Sequence, residues 1–180
     1  MSEYTTVYLR SKNTPLLEYR EHPSWEEIQN LSEDELSQIR NEIKEHNKNV
    51  DRSLGCELFY LSTTPSRHLD ILHWSPSPKI LTTELLDEVL EFYNEEIEYN
   101  KRSIAKNKET VAKLEARIVK ANVNIYEIIS EEIDDCNESR GYLKEELENT
   151  QYLYTKFYFA KGILDNKSNA EDYELVYTKC

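Results

Sequence analysis

The chain has 180 residues, 38% of them hydrophobic and 32% charged, with only 3 Gly and 5 Pro, a balance that suits one domain with a real core and favours helix over an all-β fold. A net charge of −13 argues against nucleic acid or anionic lipid as a partner unless a local basic patch exists. Cys56, Cys136 and Cys180 lie far apart with no C-x-x-C spacing, which argues against a disulfide framework and for a reducing compartment.

The first element is a strand over Tyr4–Arg10, dense in β-branched and aromatic residues. Asn13-Thr14-Pro15 breaks it, and a short extended piece is expected over Leu16–Tyr19. Ser24-Trp-Glu-Glu27 and Ser32-Glu-Asp-Glu35 each match a capping box, the second flanked by Leu31 and Leu36 as a staple. Leu36, Ile39, Ile43 and Val50 then recur with charges between them, which predicts an amphipathic helix from about residue 33 to 49, ended by Asp51–Gly55. Cys56–Ser62 reads as a buried strand. Its opening thiol reads as structural rather than as a nucleophile. At the far end Tyr173–Lys179 places Tyr173, Leu175 and Tyr177 on one face of a third strand.

From Lys79 through Arg140 there is neither Pro nor Gly. Thr82 caps the start, with Leu81 and Leu86 as its staple. A 3–4 spacing runs through Leu86, Leu90, Tyr93, Ile97, Asn100, Ile104, Asn107, Val111, Leu114, Ile118 and Ala121, a heptad seam interrupted by two Asn. A second seam, out of phase, runs through Ile129, Ile133, Cys136, Arg140, Leu143, Leu147, Thr150, Tyr154, Phe157, Lys161 and Leu164. The phase shift, the Asn122-Val-Asn124 cap signals and the charges together predict a tight turn near 122–124. Residues 101–120 carry seven basic and two acidic groups, a balance of +5, whereas 125–149 carry nine acidic and two basic groups, a balance of −7. Doubling back lays opposite signs side by side, and this pairing is expected to set register. A break at 134–141, around Gly141, is the rival.

The expected fold is therefore α+β and helix-dominated: a small antiparallel sheet of about three strands, one amphipathic helix and a long antiparallel helical hairpin. Residues 1–81 and 165–180 form the α+β body, and 82–164 the hairpin, within a single domain.

Chemistry is sparse. Gly occurs only at 55, 141 and 162, so no phosphate-cradling loop is built. His68 and His73 are five apart, unlike a metal pair. Neither catalytic, metal nor cofactor-binding constellations stand out, and the chain is not expected to be an enzyme. The polar cluster Thr64, Ser66, Arg67 and His68 is the weak candidate for binding a phosphate or carboxylate. Apolar residues crowd the turn beyond what two helices bury, so Val119, Val123, Ile125, Tyr126 and Ile129 are candidates for a partner-binding tip, or for self-association. Residues 84–98 hold seven acids and no base, so Glu84, Asp87, Glu88, Glu91 and Glu95 are candidates for engaging a basic protein surface. With size, acidity and a Tyr- and Asn-rich usage common in phages, the chain is similar to nucleic-acid mimics that inhibit host enzymes. The expected function is thus protein–protein interaction. Its alternatives are an oligomerisation module working through the tip, and a ligand binder or enzyme around Arg67. No secretory signal opens the chain and no apolar run approaches the ~20 residues of a membrane span, so a cytoplasmic location is expected.

Overall fold

A computed structural model describes residues 3–63, 78–119 and 123–179. It is α+β and helix-dominated, with one four-stranded antiparallel sheet and a long helical pair. In chain order the elements are β1 (Glu3–Ser11), α1 (Trp25–Ile28), α2 (Glu33–Ser53), β2 (Cys56–Thr63), β3 (Lys79–Ile80), α3 (Thr83–Ile118), α4 (Val123–Asp165), α5 (Lys167–Asp172) and β4 (Tyr173–Lys179). The chain divides into two compact units, one of residues 1–88 with 158–180 and one of residues 89–157. Among the described residues no helix is long and apolar enough to cross a membrane.

The first unit is organised by its sheet, whose order is β2-β1-β4-β3. The first and last strands are therefore neighbours, paired from Thr5↔Lys179 to Ser11↔Tyr173. β3 adds two residues on the other side of β4, a fourth strand that the sequence reading did not resolve. It is extended by a bond from Leu81 N–H to Leu175 C=O (2.8 Å). Strand partners share a sheet face. One face carries Val7, Phe59, Leu175 and Tyr177, and the other Thr6, Arg10, Val176 and Thr178, all buried. The alternation expected for β4 is thus replaced by burial on both faces from Leu175 to Thr178.

β2 is not the buried strand its apolar run suggested. It lies at the sheet edge, with Phe59 buried but Cys56, Glu57 and Tyr60 exposed. A bulge between Val7 and Tyr8 skips Leu58 and twists this edge, the usual protection against strand addition.

The extended piece expected at Leu16–Tyr19 forms no strand, and the reason is local. Asn47 on α2 accepts from Arg20 N–H (2.9 Å) and donates to Arg20 C=O (3.1 Å), His46 Nε2 donates to Glu18 C=O (2.9 Å), and Tyr19 donates to Asp51. Side chains of α2 satisfy this backbone in place of a neighbouring strand.

Both capping boxes form, at Ser24/Glu27 and Ser32/Glu35. α2 runs four residues beyond the expected end, to Ser53, and stops where Gly55 takes φ +89°. A Cβ built there meets Leu9 O at 2.3 Å and Arg10 Cα at 2.8 Å. Gly55 therefore supplies both the left-handed backbone that ends the helix and the close approach to β1.

Arg10, the largest fully buried side chain, is 2% exposed. Its Nη1 lies 3.2 Å from Glu174 Oε1 across the β1–β4 pair, a charge contact without hydrogen-bond alignment, and its Nη2 donates to Thr14 C=O.

Gly55→Ala should destabilise the protein by about 2 kcal/mol or more in urea melts. By contrast Gly141→Ala, in the interior of α4 with open space around it, should stabilise by about 0.5–1 kcal/mol. Glu35 is held below the ordinary carboxylate range by the Ser32 hydroxyl first and the Ser32 N–H second. The stabilisation from this depressed carboxyl is complete above the ordinary carboxylate pKa and is lost as pH falls through the lowered value. Glu35→Gln should therefore flatten that part of the acid-side stability profile, as read by chemical denaturation at successive pH values.

Candidate functional site: the tip and flanks of the hairpin

α3 begins at Thr83 behind the expected cap, with Leu85 N–H donating to Thr82 Oγ1 (3.2 Å) and Leu81 and Leu86 both buried. In the first unit Lys161 of α4 forms an ion pair with Asp87 of α3. In the second unit Tyr93 stacks on Phe157 at 5.8 Å. The two helices are thus antiparallel arms of a hairpin. α3 ends at Ile118 and α4 starts at Val123, so Val123 and Asn124, expected in the turn, instead open α4. α4 runs without interruption through 134–141, the rival break.

Burial follows both seams. Tyr93, Ile97, Asn100, Ile104, Val111 and Leu114 are buried on α3, and Ile129, Thr150 and Phe157 on α4. Between these last residues Ile133, Cys136, Arg140, Leu143 and Leu147 are only half-buried, the mark of a seam covered by a single facing helix. Stepping seven residues from the Tyr93–Phe157 stack brings Thr150 level with Asn100. The Thr150 hydroxyl donates to Glu146 C=O instead (2.7 Å), and Asn100 Nδ2 and Asn107 Oδ1 have no hydrogen-bond partner among the described residues. Burial raises the Tyr93 phenol well above its usual range.

The charges are arranged differently from expectation. No ion pair within 4.0 Å joins residues 101–119 to residues 125–149 among the described residues. The lysine pairs there, Lys101–Glu98 and Lys113–Glu109, stay within α3. Heptad position explains why. In an antiparallel pair the positions flanking one seam face the like positions of the other. Lys101 and Lys108 flank the α3 seam on the side that faces Asn137, Lys144 and Gln151, where there is no acid. On the opposite flank Arg117 and Glu132 stand level. The other acids of α4, including Glu131, Asp134, Asp135, Glu138, Glu145 and Glu148, occupy outward positions and are exposed. The opposite charges of the arms point away from each other, so apolar seam packing, not direct ion pairing, holds this stretch together.

At the tip Val119 is 84%, Ile128 59%, Tyr126 50% and Ile125 46% exposed. Ile129 differs from the other tip candidates: it is 2% exposed, a seam residue that offers no surface. The Val123 side chain lies outside the described residues, as do Thr64, Ser66, Arg67 and His68. Of the acidic candidates, Glu84, Asp87 and Glu88 are exposed in the first unit, with Asp87 engaged by Lys161, and Glu91 and Glu95 are exposed in the second. Ile128, one of the apolar residues that crowd the turn in the sequence, stands beside the α4 seam rather than in it and is exposed.

A cleft of about 300 Å³ in the first unit is lined by Lys12, Thr82, Thr83, Glu84, Tyr173 and Glu174, among others. Most of its polar groups are already engaged: Lys12 donates to Ala170 C=O (2.5 Å), Thr82 caps α3, and Glu174 faces Arg10. Among the described residues no group of three His, Cys, Asp or Glu is placed to hold a metal ion. Cys56 is exposed and Cys136 half-buried, both as free thiols.

Replacing Asn100 with Leu removes a buried amide whose Nδ2 lacks a partner among the described residues and should raise stability by about 1 kcal/mol in urea melts. A loss of stability would show that the amide makes a bond in solution.

Comparison with known proteins leaves this geometry to be read on its own chemistry: no protein-family model, curated protein or solved structure matches the chain.

Proposed function

We propose that the chain is a protein-interaction protein whose contact surface is the tip of the α3–α4 hairpin. The observation that carries this reading is the cluster of exposed apolar side chains around the turn, Val119, Tyr126 and Ile128 with Ile125. Two helices of ordinary solvated surface place apolar residues singly. Four within ten residues of one turn form a patch, and contiguous patches are where soluble proteins meet partners. Tyr and Ile at such a site bring large area at low entropic cost.

A narrower form of the reading, an acidic mimic of nucleic acid acting on a basic host surface, draws on the net charge of −13 and on the exposed acids of α4. The positive balance of residues 101–120 beside them weighs against it within the hairpin.

A photo-cross-linking phenylalanine analogue at Tyr126, introduced in the cells that produce the protein, should give light-dependent adducts. The same analogue at Tyr142, exposed midway along α4, should give far fewer. Equal or absent adducts at both positions would overturn the reading. Tyr126→Asp and Ile128→Asp should abolish the adduct formed from a probe at Val119. Both should shift stability by no more than about 0.5 kcal/mol, the range of ordinary surface changes.

A further inference from the structure

Resting on that reading, we infer that the apolar tip is covered by a second copy of this chain, in a dimer formed by exchange: α3 runs straight on into α4 as one helix, and each copy's α4 packs on the other copy's α3.

Three observations lead there. The first is phase. The α3 seam ends on Val111, Leu114 and Ile118. Ile125 lies one heptad beyond Ile118, and Ile128 two heptads beyond Leu114, so both continue the α3 stripe past the end of α3. The α4 stripe is out of phase by one residue. In it Tyr126 lies one heptad before Ile133, with Ile129 between them. The two stripes therefore overlap over residues 125–129. Of the apolar residues in this overlap Ile129 alone is buried, while Ile125, Tyr126 and Ile128 are 46%, 50% and 59% exposed. One helix that changes from the first seam to the second needs both stripes apolar where they cross. A hairpin of two separate helices has no such need.

The second is register. The Tyr93–Phe157 stack is centred on residue 125, midway between its members. The same register sets Ile118, the last residue of α3, level with residue 132. The first two turns of α4 thus extend past the end of α3 with no α3 residue beside them. Continued as a helix, α3 reaches Ile125 at the level of Ile125 in the second copy. A two-fold axis at that level gathers Ile125, Tyr126 and Ile128 of both copies around it, an isologous contact.

The third is the connection. Val119-Lys-Ala-Asn122 joins the two helices, and neither Gly nor Pro occurs from Lys79 through Arg140. The connecting residues are all compatible with helix. Exchange also keeps the contacts that hold the single chain. Asp87 meets Lys161, Tyr93 meets Phe157 and β1 meets β4, now between copies. The outward charges of both arms stay in solvent. The dimer retains the seam and the sheet and adds cover for the tip, which is what makes exchange a low-cost route to association.

Exchange is tested by asking which chain supplies each side of a known contact. With Cys56, Cys136 and Cys180 replaced by Ala, Asp87→Cys and Lys161→Cys place thiols on a pair that touches in the folded chain. The protein is refolded from urea at about 100 μM, well above the Kd of a specific dimer, and treated with a short bis-maleimide. Denaturing electrophoresis should show bridged chains of twice 21.4 kDa. Val123→Pro separates exchange from any other dimer. Proline is accommodated at the first residue of α4 but not inside a continuous helix. The variant should keep its helix content by circular dichroism and dimerise at least about a hundredfold more weakly. Ile125→Asp with Ile128→Asp should weaken the dimer in the same way. A native chain that stays a single copy at about 100 μM in sedimentation equilibrium would overturn the inference. So would a dimer whose bridges all lie within one chain, or a Val123→Pro variant that dimerises like the native chain. Failure here is distinct from failure of the broader reading: adducts that join the Tyr126 probe to a different protein leave an interaction tip with another partner, and no adducts leave neither.

Discussion

The first and last strands of the chain are neighbours, and this one pairing constrains everything between them. β1 and β4 match over seven residues, Thr5↔Lys179 to Ser11↔Tyr173, with Arg10 set opposite Glu174. A chain whose ends are joined in one sheet must return whatever it sends out. The two long helices meet that requirement by doubling back, so the loop-closure entropy of bringing β4 to β1 is offset by seam packing along the arms. The buried Arg10 shows how tightly the pairing is specified. A register slip of one residue would move Arg10 and Glu174 to opposite faces and leave a charge buried alone. Gly55 works on the same strand from the other side, because its missing Cβ lets the α2–β2 connection touch the backbone of Leu9 and Arg10.

The hairpin is held by different physics. Its seam alternates well-buried aliphatic and aromatic residues with Asn100 and Asn107, whose amides are incompletely satisfied. Buried polar groups at seam positions lower stability and narrow the set of alternative registers and partners. The charges, which a reading of the sequence assigns to the same task, face outward instead. A hairpin whose two arms carry opposite signs on their outer faces has its internal register set by packing.

How much of this was legible in the sequence depended on the range of each signal. Both capping boxes, the Thr82 cap with its staple, the two seams and the β4 boundaries follow from contacts within about seven residues, and local spacing carried them. The α2 end was misjudged by four residues, because Asp51 and Arg52 sustain a helix until a glycine with positive φ stops it. The strand expected at Leu16–Tyr19 failed for a non-local reason, since its backbone partners are Asn47 and its neighbours on α2. For the candidate site, periodicity and crowding around residue 123 pointed to the tip. Ile129, read both as a seam residue and as a tip candidate, is buried because the seam phase of α4 turns it inward and leaves the adjacent Ile128 exposed.

The amino-acid order by itself therefore determined the kinds of element, most of their ends, the apolar stripes and the division of charge between two arms, because each is a property of side chains close together along one backbone. Only the tertiary structure decided that β2 is an edge and β4 an interior strand, that Arg10 is buried against Glu174, and that the opposite charges of the hairpin face away from each other. Those outcomes depend on which distant segments become neighbours. Spacing along a single helix shows where a charge points relative to its own seam, and the facing helix then decides whether anything of opposite sign stands there to meet it.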